Sequence, residues 1–418
     1  MAHFETSDRP GRAGVGPGLR FLILLGLLDA FGPLGIDMYL PAFPEIARDL
    51  HAEGGRVELT LSLFLAGLAI GQLICGPISD RIGRRKPLLF GAAAFALASV
   101  VCAFTRSIEA LIAARFVMGL AGATGMVVAR AVVRDSFEEA DSARVYSMLM
   151  LVIGVAPIIS PTLGAWVMTL GGWPAIFWSL AAFACVCGLG VLVDMPETLA
   201  EDRRDREPAA SILPRYAEVF SDRRFLGYAV PSSLALGMIF AYVTSAPSMF
   251  LQHFRLSPTQ FNVVFACNAI GLIGAAQVNR RLTRWFDTHA ILRGASLVNA
   301  AASLMLPVLA WTGAGGFPAF LAMIFVALAM IGLILPNATA AVMAPFPDHA
   351  GVASALLGAL QFAVGAAAGA AVGMLGDGTP RSMALTMAAC ATGSLAVSTV
   401  VERRRVRSAG LAVAASGS

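Results

Sequence analysis

Lysine is almost absent from this chain: of 30 basic residues only Lys86 is not an arginine. Charge of any kind is scarce, at 13% of residues, where a soluble domain carries roughly a quarter. Histidine is confined to His3, His51, His253, His289 and His349, all in tails or loops, so imidazole-based metal or base chemistry has no place in a buried span. The six cysteines (Cys75, Cys102, Cys185, Cys187, Cys267, Cys390) fall in or beside apolar runs without a CxxC pair. They read as small core residues, which excludes a disulfide scaffold and a thiolate metal centre. No cluster of nucleophile and base appears, which argues against an enzyme. What is abundant is apolar: 57% of the 418 residues are hydrophobic, in long runs with the charges gathered between them. That is the composition of a polytopic membrane protein.

Twelve segments of spanning length can be marked, at 19–40, 57–78, 87–105, 107–132, 143–169, 173–193, 225–250, 259–279, 290–311, 317–341, 350–375 and 380–401. The first is longer than a signal-peptide core and carries two acids and Pro33, so it reads as a retained span. Placing the N-terminus inside puts 24 of the 30 basic residues on the inner side and five outside, with Arg115 within a span. The positive-inside rule then expects both termini to be cytoplasmic. The pI of about 8.9 therefore reports topology and not nucleic-acid binding.

The longest connection, 194–224, holds the mixed-charge run Glu201-Asp-Arg-Arg-Asp-Arg-Glu207 and separates six spans from six. Ala143-Arg-Val145-Tyr-Ser147-Met-Leu149 recurs as Ala350-Gly-Val352-Ala-Ser354-Ala-Leu356, each copy opening the fifth span of its half. Duplication of a six-span unit gives two halves related by a pseudo-twofold axis along the membrane normal, with a cavity between them near the midplane. The expected organisation is a tail 1–18, a bundle 19–193, a linker 194–224, a bundle 225–401 and a tail 402–418.

Asp29 and Asp37 lie eight residues apart inside the first span, about 12 Å along a helix and about 80° around it. An acid near the middle of a spanning helix costs roughly 2.5–3.5 kcal/mol, so two imply a wet interior and a proton- or cation-linked task. Two blander readings stand beside this: Asp37 is solvated near the interface, and Asp29 is a structural ion-pair partner. Arg115 lies about eight residues into the fourth span, at a depth similar to Asp37. The expectation is an Asp37–Arg115 pair or water-bridged relay, with Asp29 two turns deeper, where it would attract cationic substrates. The competing reading has Arg115 snorkelling to the outer interface.

Three motifs now carry a resemblance. Gly76-Pro-Ile-Ser-Asp80-Arg81-Ile-Gly83-Arg84-Arg85 joins spans two and three, with Gly83 where a tight turn needs positive φ. It resembles the signature loop of the major facilitator superfamily. Leu111-Ile-Ala-Ala-Arg115-Phe-Val-Met118-Gly resembles that superfamily's fourth-span motif, with Met118 where Gln is common. Gly154-Val-Ala-Pro157-Ile-Ile-Ser-Pro161-Thr-Leu-Gly164 is similar to the fifth-span motif of its antiporters. Asp37-Met-Tyr-Leu-Pro-Ala-Phe-Pro resembles the opening signature of the Bcr/CflA family of bacterial drug exporters, supported by Ser245-Ala-Pro, Pro336-Asn337-Ala and Ala350-Gly-Val-Ala-Ser.

The resemblance implies an all-α membrane protein with twelve transmembrane helices in two six-helix bundles. The implied activity is a proton-coupled antiporter moving drug-like small molecules out across the bacterial inner membrane by alternating access. It also implies a cytoplasmic latch in which Asp80 engages the N-terminus of the eleventh helix. The counterpart Asn279-Arg280-Arg281-Leu-Thr-Arg284 lacks the Asp and Gly, so latching is expected to be asymmetric. Partners are the substrate, protons and the bilayer, with no cofactor, metal or nucleic acid, and the expected state is a monomer. Tyr39, Met148, Phe240, Tyr242, Asn268, Asn337 and Gln361 are the candidate substrate surface. An exporter of an endogenous metabolite, such as an amino acid or sugar, would use the same chemistry. A non-transporting sensor is disfavoured by the retained intramembrane charges.

Overall fold

Pro33 and Pro41 each stand four residues after one of the two first-span acids. A helix pairs the carbonyl of residue i with the N–H of residue i+4, and proline has none. The carbonyls of Asp29 and Asp37 therefore lose their helical partners. In the computed structural model, which describes residues 19–137, 139–204, 212–346, 349–376 and 379–416, the first span breaks at both places. It runs as Leu19–Asp29, Phe31–Asp37, a single tight turn Leu40–Ala42 and Phe43–Asp49, with a 46° bend at the first break. Each acid thus closes a helical segment, where backbone carbonyls are already exposed to partners.

All regular structure among the described residues is helical. Ten helices are long and apolar enough to cross a membrane, and the bent first pair makes eleven. One of the ten, Gly154–Asp194, has 41 residues, roughly 60 Å or two bilayer cores. It is the apolar part of Glu139–Asp194, interrupted by non-helical backbone at Gly171 and Gly172. Dividing it there gives twelve spans. The others are Arg56–Ile82, Arg85–Phe104, Ile108–Ser136, Arg223–Pro247, Pro258–Leu282, Thr288–Thr312, Gly316–Met343, Ala350–Leu375 and Arg381–Ser416. The last continues as helix well past 401, where a tail was expected. The first tail and residues 205–211 of the linker lie outside the described residues.

The halves meet along two seams: the second span packs on the eleventh, and the fifth on the eighth. A pseudo-twofold exchange of halves turns one pair into the other, which is the relation the internal repeat leads one to expect. On the face away from the basic loops the halves touch closely. A Cβ on Gly55 would collide with the Gly373 carbonyl, and Ser248 donates to Glu58 Oε1 at 2.6 Å. On the basic face a cavity of about 550 Å³ separates them, lined by Asp80, Arg84, Arg130 and Arg134 from one half and Gly351, Val352, Ser354 and Ala355 from the other.

Candidate functional site

Between the halves lies a second cavity of about 320 Å³. The first span contributes Gly32, Pro33, Ile36 and Asp37, and the fifth contributes Gly154 and Pro157. Phe240 and Tyr242 come from the seventh, Phe265 and Asn268 from the eighth. Among its twenty lining residues only Asp37, Tyr242 and Asn268 are polar, and Asp37 is the single charge. Ligand sites of this kind use an apolar wall for affinity and a few convergent polar groups for orientation. The fifth span serves the wall directly: Gly164 abuts the Met38 carbonyl, a contact that a Cβ would forbid, so spans one and five approach backbone to backbone beside Asp37. Pro161, also buried, precedes Gly164 by three residues, nearly a full turn.

Of the seven residues expected at the substrate surface, Phe240, Tyr242 and Asn268 line this cavity and four do not. Asn337 is buried on the far side of its helix, donating to Asn279 Oδ1 at 2.6 Å and to the Leu333 carbonyl. Gln361 donates to Ser232 at 2.9 Å, and Met148 is 40% exposed elsewhere. Tyr39 is wholly buried and donates to Thr60 at 2.9 Å, since the Thr60 hydroxyl is committed to the Val57 carbonyl.

Tyr39 serves Arg115. The guanidinium, fully buried, sits 4.2 Å from the Phe64 ring centroid, 4.6 Å from Tyr39 and 6.0 Å from Phe177. Its Nη2 donates to the Gly35 carbonyl at 2.8 Å. That carbonyl lies in the last turn of Phe31–Asp37, where the break prevents helical pairing. The expected Asp37–Arg115 ion pair is not formed: no such contact within 4 Å exists among the described residues, and Arg115 does not snorkel either. It caps the short helix that ends in Asp37. A desolvated cation over an aromatic face gains about 2 kcal/mol, which with the carbonyl bond accounts for an arginine surrounded by rings.

Asp29 is completely buried and does not line the central cavity. Its Oδ1 lies 3.7 Å from Nη2 of Arg130, which reaches in from the basic-face cavity. The ion-pair reading of Asp29 fits this geometry, and the expected cation-attracting role does not. By sequence Arg130 belongs with the basic residues of the inner connections. It lies fifteen residues after Arg115 on the same helix, about 60° around, a spacing legible in the sequence.

The loop between spans two and three is a tight electrostatic knot. Gly83 has φ +93°, and a Cβ there would run into the Glu197 carboxylate. Glu197 accepts from the backbone N–H of Arg84 at 2.7 Å and of Arg85 at 3.3 Å, so a linker residue caps the third span. Arg84 is buried, donating to Asp80 at 2.6 Å, Asp135 at 2.7 Å and Ser79 at 2.8 Å. Burial opposes its charge, but the bonds to Asp135 and Asp80 outweigh that and hold its proton affinity above the ordinary arginine range. Arg85 reaches the Leu192 carbonyl at 2.7 Å, while Gly76 lines the basic-face cavity and Arg81 lies in the last turn of the second span. Asp80 therefore takes Arg84 as its partner, and the first turn of the eleventh span lines the same cavity without a hydrogen bond to it. The latch expected from the resemblance is not engaged here.

With this geometry in place, the comparisons with known proteins are specific. The profile of the Major Facilitator Superfamily matches residues 25–370. An uncharacterized MFS-type transporter, YdgK of Bacillus subtilis, is 34% identical over 380 residues, 90% of this chain and 94% of that one. A bicyclomycin resistance protein homolog of Haemophilus influenzae is 30% identical over 393 residues, 93% of this chain and 98% of that one. Among solved structures, a D-xylose-proton symporter superposes with a TM-score of 0.70 at 13% identity, covering 90% of this chain and 97% of that one. The chain thus belongs to the major facilitator superfamily of membrane transporters, and it groups with the Bcr/CflA branch that its first-span signature resembles.

Proposed function

We propose that this transporter is a proton-coupled antiporter that exports drug-like small molecules across the bacterial inner membrane by alternating access. The observation that carries the proposal is the central cavity, largely apolar with a single carboxylate, Asp37, on its wall. A carboxyl group exists either as a neutral acid or as a counter-ion, and a substrate that needs the counter-ion competes with the proton for it. When the cavity opens outward Asp37 takes a proton and gives up substrate; when it opens inward the exchange reverses. In this reading the basic face is cytoplasmic, both termini are cytoplasmic and one chain suffices. The resistance named for the Haemophilus relative points to antibiotics as the substrates.

Arg115 supports the exchange without contacting substrate. By holding the Gly35 carbonyl it fixes the end of the short helix on which Asp37 sits, two residues further on. An amino-acid or sugar exporter fits less well, because such substrates need a dense set of hydrogen-bonding partners and this cavity offers three polar side chains.

The test is antiport in proteoliposomes that carry a proton gradient and contain a pH-sensitive dye. Addition of a compound exported by cells overexpressing the protein should dissipate the gradient in wild type and not in Asp37→Asn. Proton movement that persists undiminished in that variant would sink the coupling assignment.

A further inference from the structure

Asn268 holds a group that the cavity leaves unsatisfied. Its side chain is 3% exposed, and its Nδ2 donates to the Tyr242 hydroxyl at 3.0 Å. Its Oδ1 has no hydrogen-bond partner. The amide cannot easily turn to seek one, because Tyr242 is itself fixed. That ring stacks on Phe265 with centroids 5.7 Å apart and packs edge-on against Phe250 at 6.2 Å. A buried carbonyl oxygen without a donor has given up its water and received nothing in return. In a cavity wall, such an oxygen is an unfilled place for a ligand's N–H or O–H.

The two acceptors stand on different halves of the protein. Asp37 belongs to the first span and Asn268 to the eighth, and both line the same cavity with apolar side chains between them. We infer that Asn268 Oδ1 is a second substrate anchor, and that the preferred substrate is an apolar body with a cationic amine at one end and a hydrogen-bond donor at the other. The amine meets Asp37, the distal N–H or O–H meets Asn268, and the bound molecule bridges the two halves. Selectivity then follows from the distal group. A methyl where the donor should be leaves the Asn268 oxygen buried and unpaired, so that analogue forgoes the hydrogen bond.

This inference rests on the export reading and deepens it. Its test uses two probes of nearly equal volume, an aminomethyl-biphenyl with a hydroxyl at the far para position and the same molecule with a methyl there. Binding to the purified full chain is measured by calorimetry, and export by uptake into inverted vesicles. Wild type should bind the hydroxyl probe about tenfold more tightly than the methyl probe. Asn268→Leu should abolish that preference by weakening the hydroxyl probe and not the methyl probe. Tyr242→Phe, which keeps the Asn268 amide, should retain most of it, and Asn268→Ala replaces Asn268→Leu if the latter does not fold. Equal binding of both probes to wild type with export intact, or a preference that survives loss of the Asn268 amide, overturns the second anchor alone. If neither probe binds or is exported by folded wild type, the amine-export reading falls and the anchor with it.

Discussion

The hydroxyl of Tyr216 donates at 3.0 Å to the carbonyl of Leu73, the carbonyl that Pro77 leaves without a partner in the second span. Tyr216 sits on the linker helix Ile212–Ser221. One turn later Val219 is buried in a cluster with Phe225, Ala353 and Leu357 of the second half. The linker helix is therefore bound to both halves on the basic face, by a hydrogen bond on one side and apolar packing on the other.

That arrangement predicts a specific coupling between Pro77 and Tyr216. Tyr216→Phe should remove about 1 kcal/mol of local stability, seen as faster hydrogen exchange of the amides in 212–221. Pro77→Ala supplies the missing backbone N–H, so in that background Tyr216→Phe should change little. Equal effects of Tyr216→Phe in the two backgrounds would show that the tyrosine does not depend on the proline-freed carbonyl.

Arg115 should not tolerate lysine. The guanidinium bonds the Gly35 carbonyl while lying over Phe64 and Tyr39, and a compact ammonium cannot reproduce both contacts. Arg115→Lys is expected to cost about 2 kcal/mol and Arg115→Ala more, with export reduced for every substrate because the segment carrying Asp37 loses its cap. A thermal midpoint and transport rate for Arg115→Lys equal to wild type would remove the capping role.

Asp29 and Arg130 should behave as an unequal pair. Asp29 is wholly buried whereas the Arg130 side chain is 37% exposed, so losing the arginine strands the less solvated charge. Arg130→Leu is expected to cost about 3 kcal/mol and Asp29→Asn less, with the double variant recovering much of the loss in thermal melts. Since Asp29 is outside the central cavity, Asp29→Asn should affect export of cationic and neutral compounds alike. Selective loss of cationic substrates would instead place Asp29 in their path.

Gly83 and Glu197 compete for the same space. Gly83→Ala should cost at least about 1 kcal/mol from the positive φ alone, plus the collision with Glu197. Glu197→Ala removes the cap on the third span, costing about 1 kcal/mol, but also clears that collision. The double variant should therefore be more stable than the two single losses added together. Strict additivity in thermal unfolding would mean that the carboxylate does not occupy the place of the missing Cβ.

The twelve spans and the signature loop could be read from the sequence because each is local. Hydropathy over about twenty residues decides a span, and Gly83 marks its own turn. The depth of a polar residue could also be read, since it follows from counting along a helix. What the sequence left open was the direction each side chain faces and the neighbour it finds there. Pro33 and Pro41 break the first span at both acids, so the single helical phase that relates Asp29 to Asp37 by about 80° does not hold. Tertiary packing sent Asp37 to the cavity, Asp29 to Arg130, and Arg115 to a backbone carbonyl. It likewise turned Asn268 inward and Asn337 toward Asn279, though both are asparagines in apolar helices of the same half. Rotation about a helix axis is set by the helices packed against it, and those neighbours are distant in the chain. How deep each group lies follows from counting along the chain, and only the assembled bundle determined what it meets at that depth.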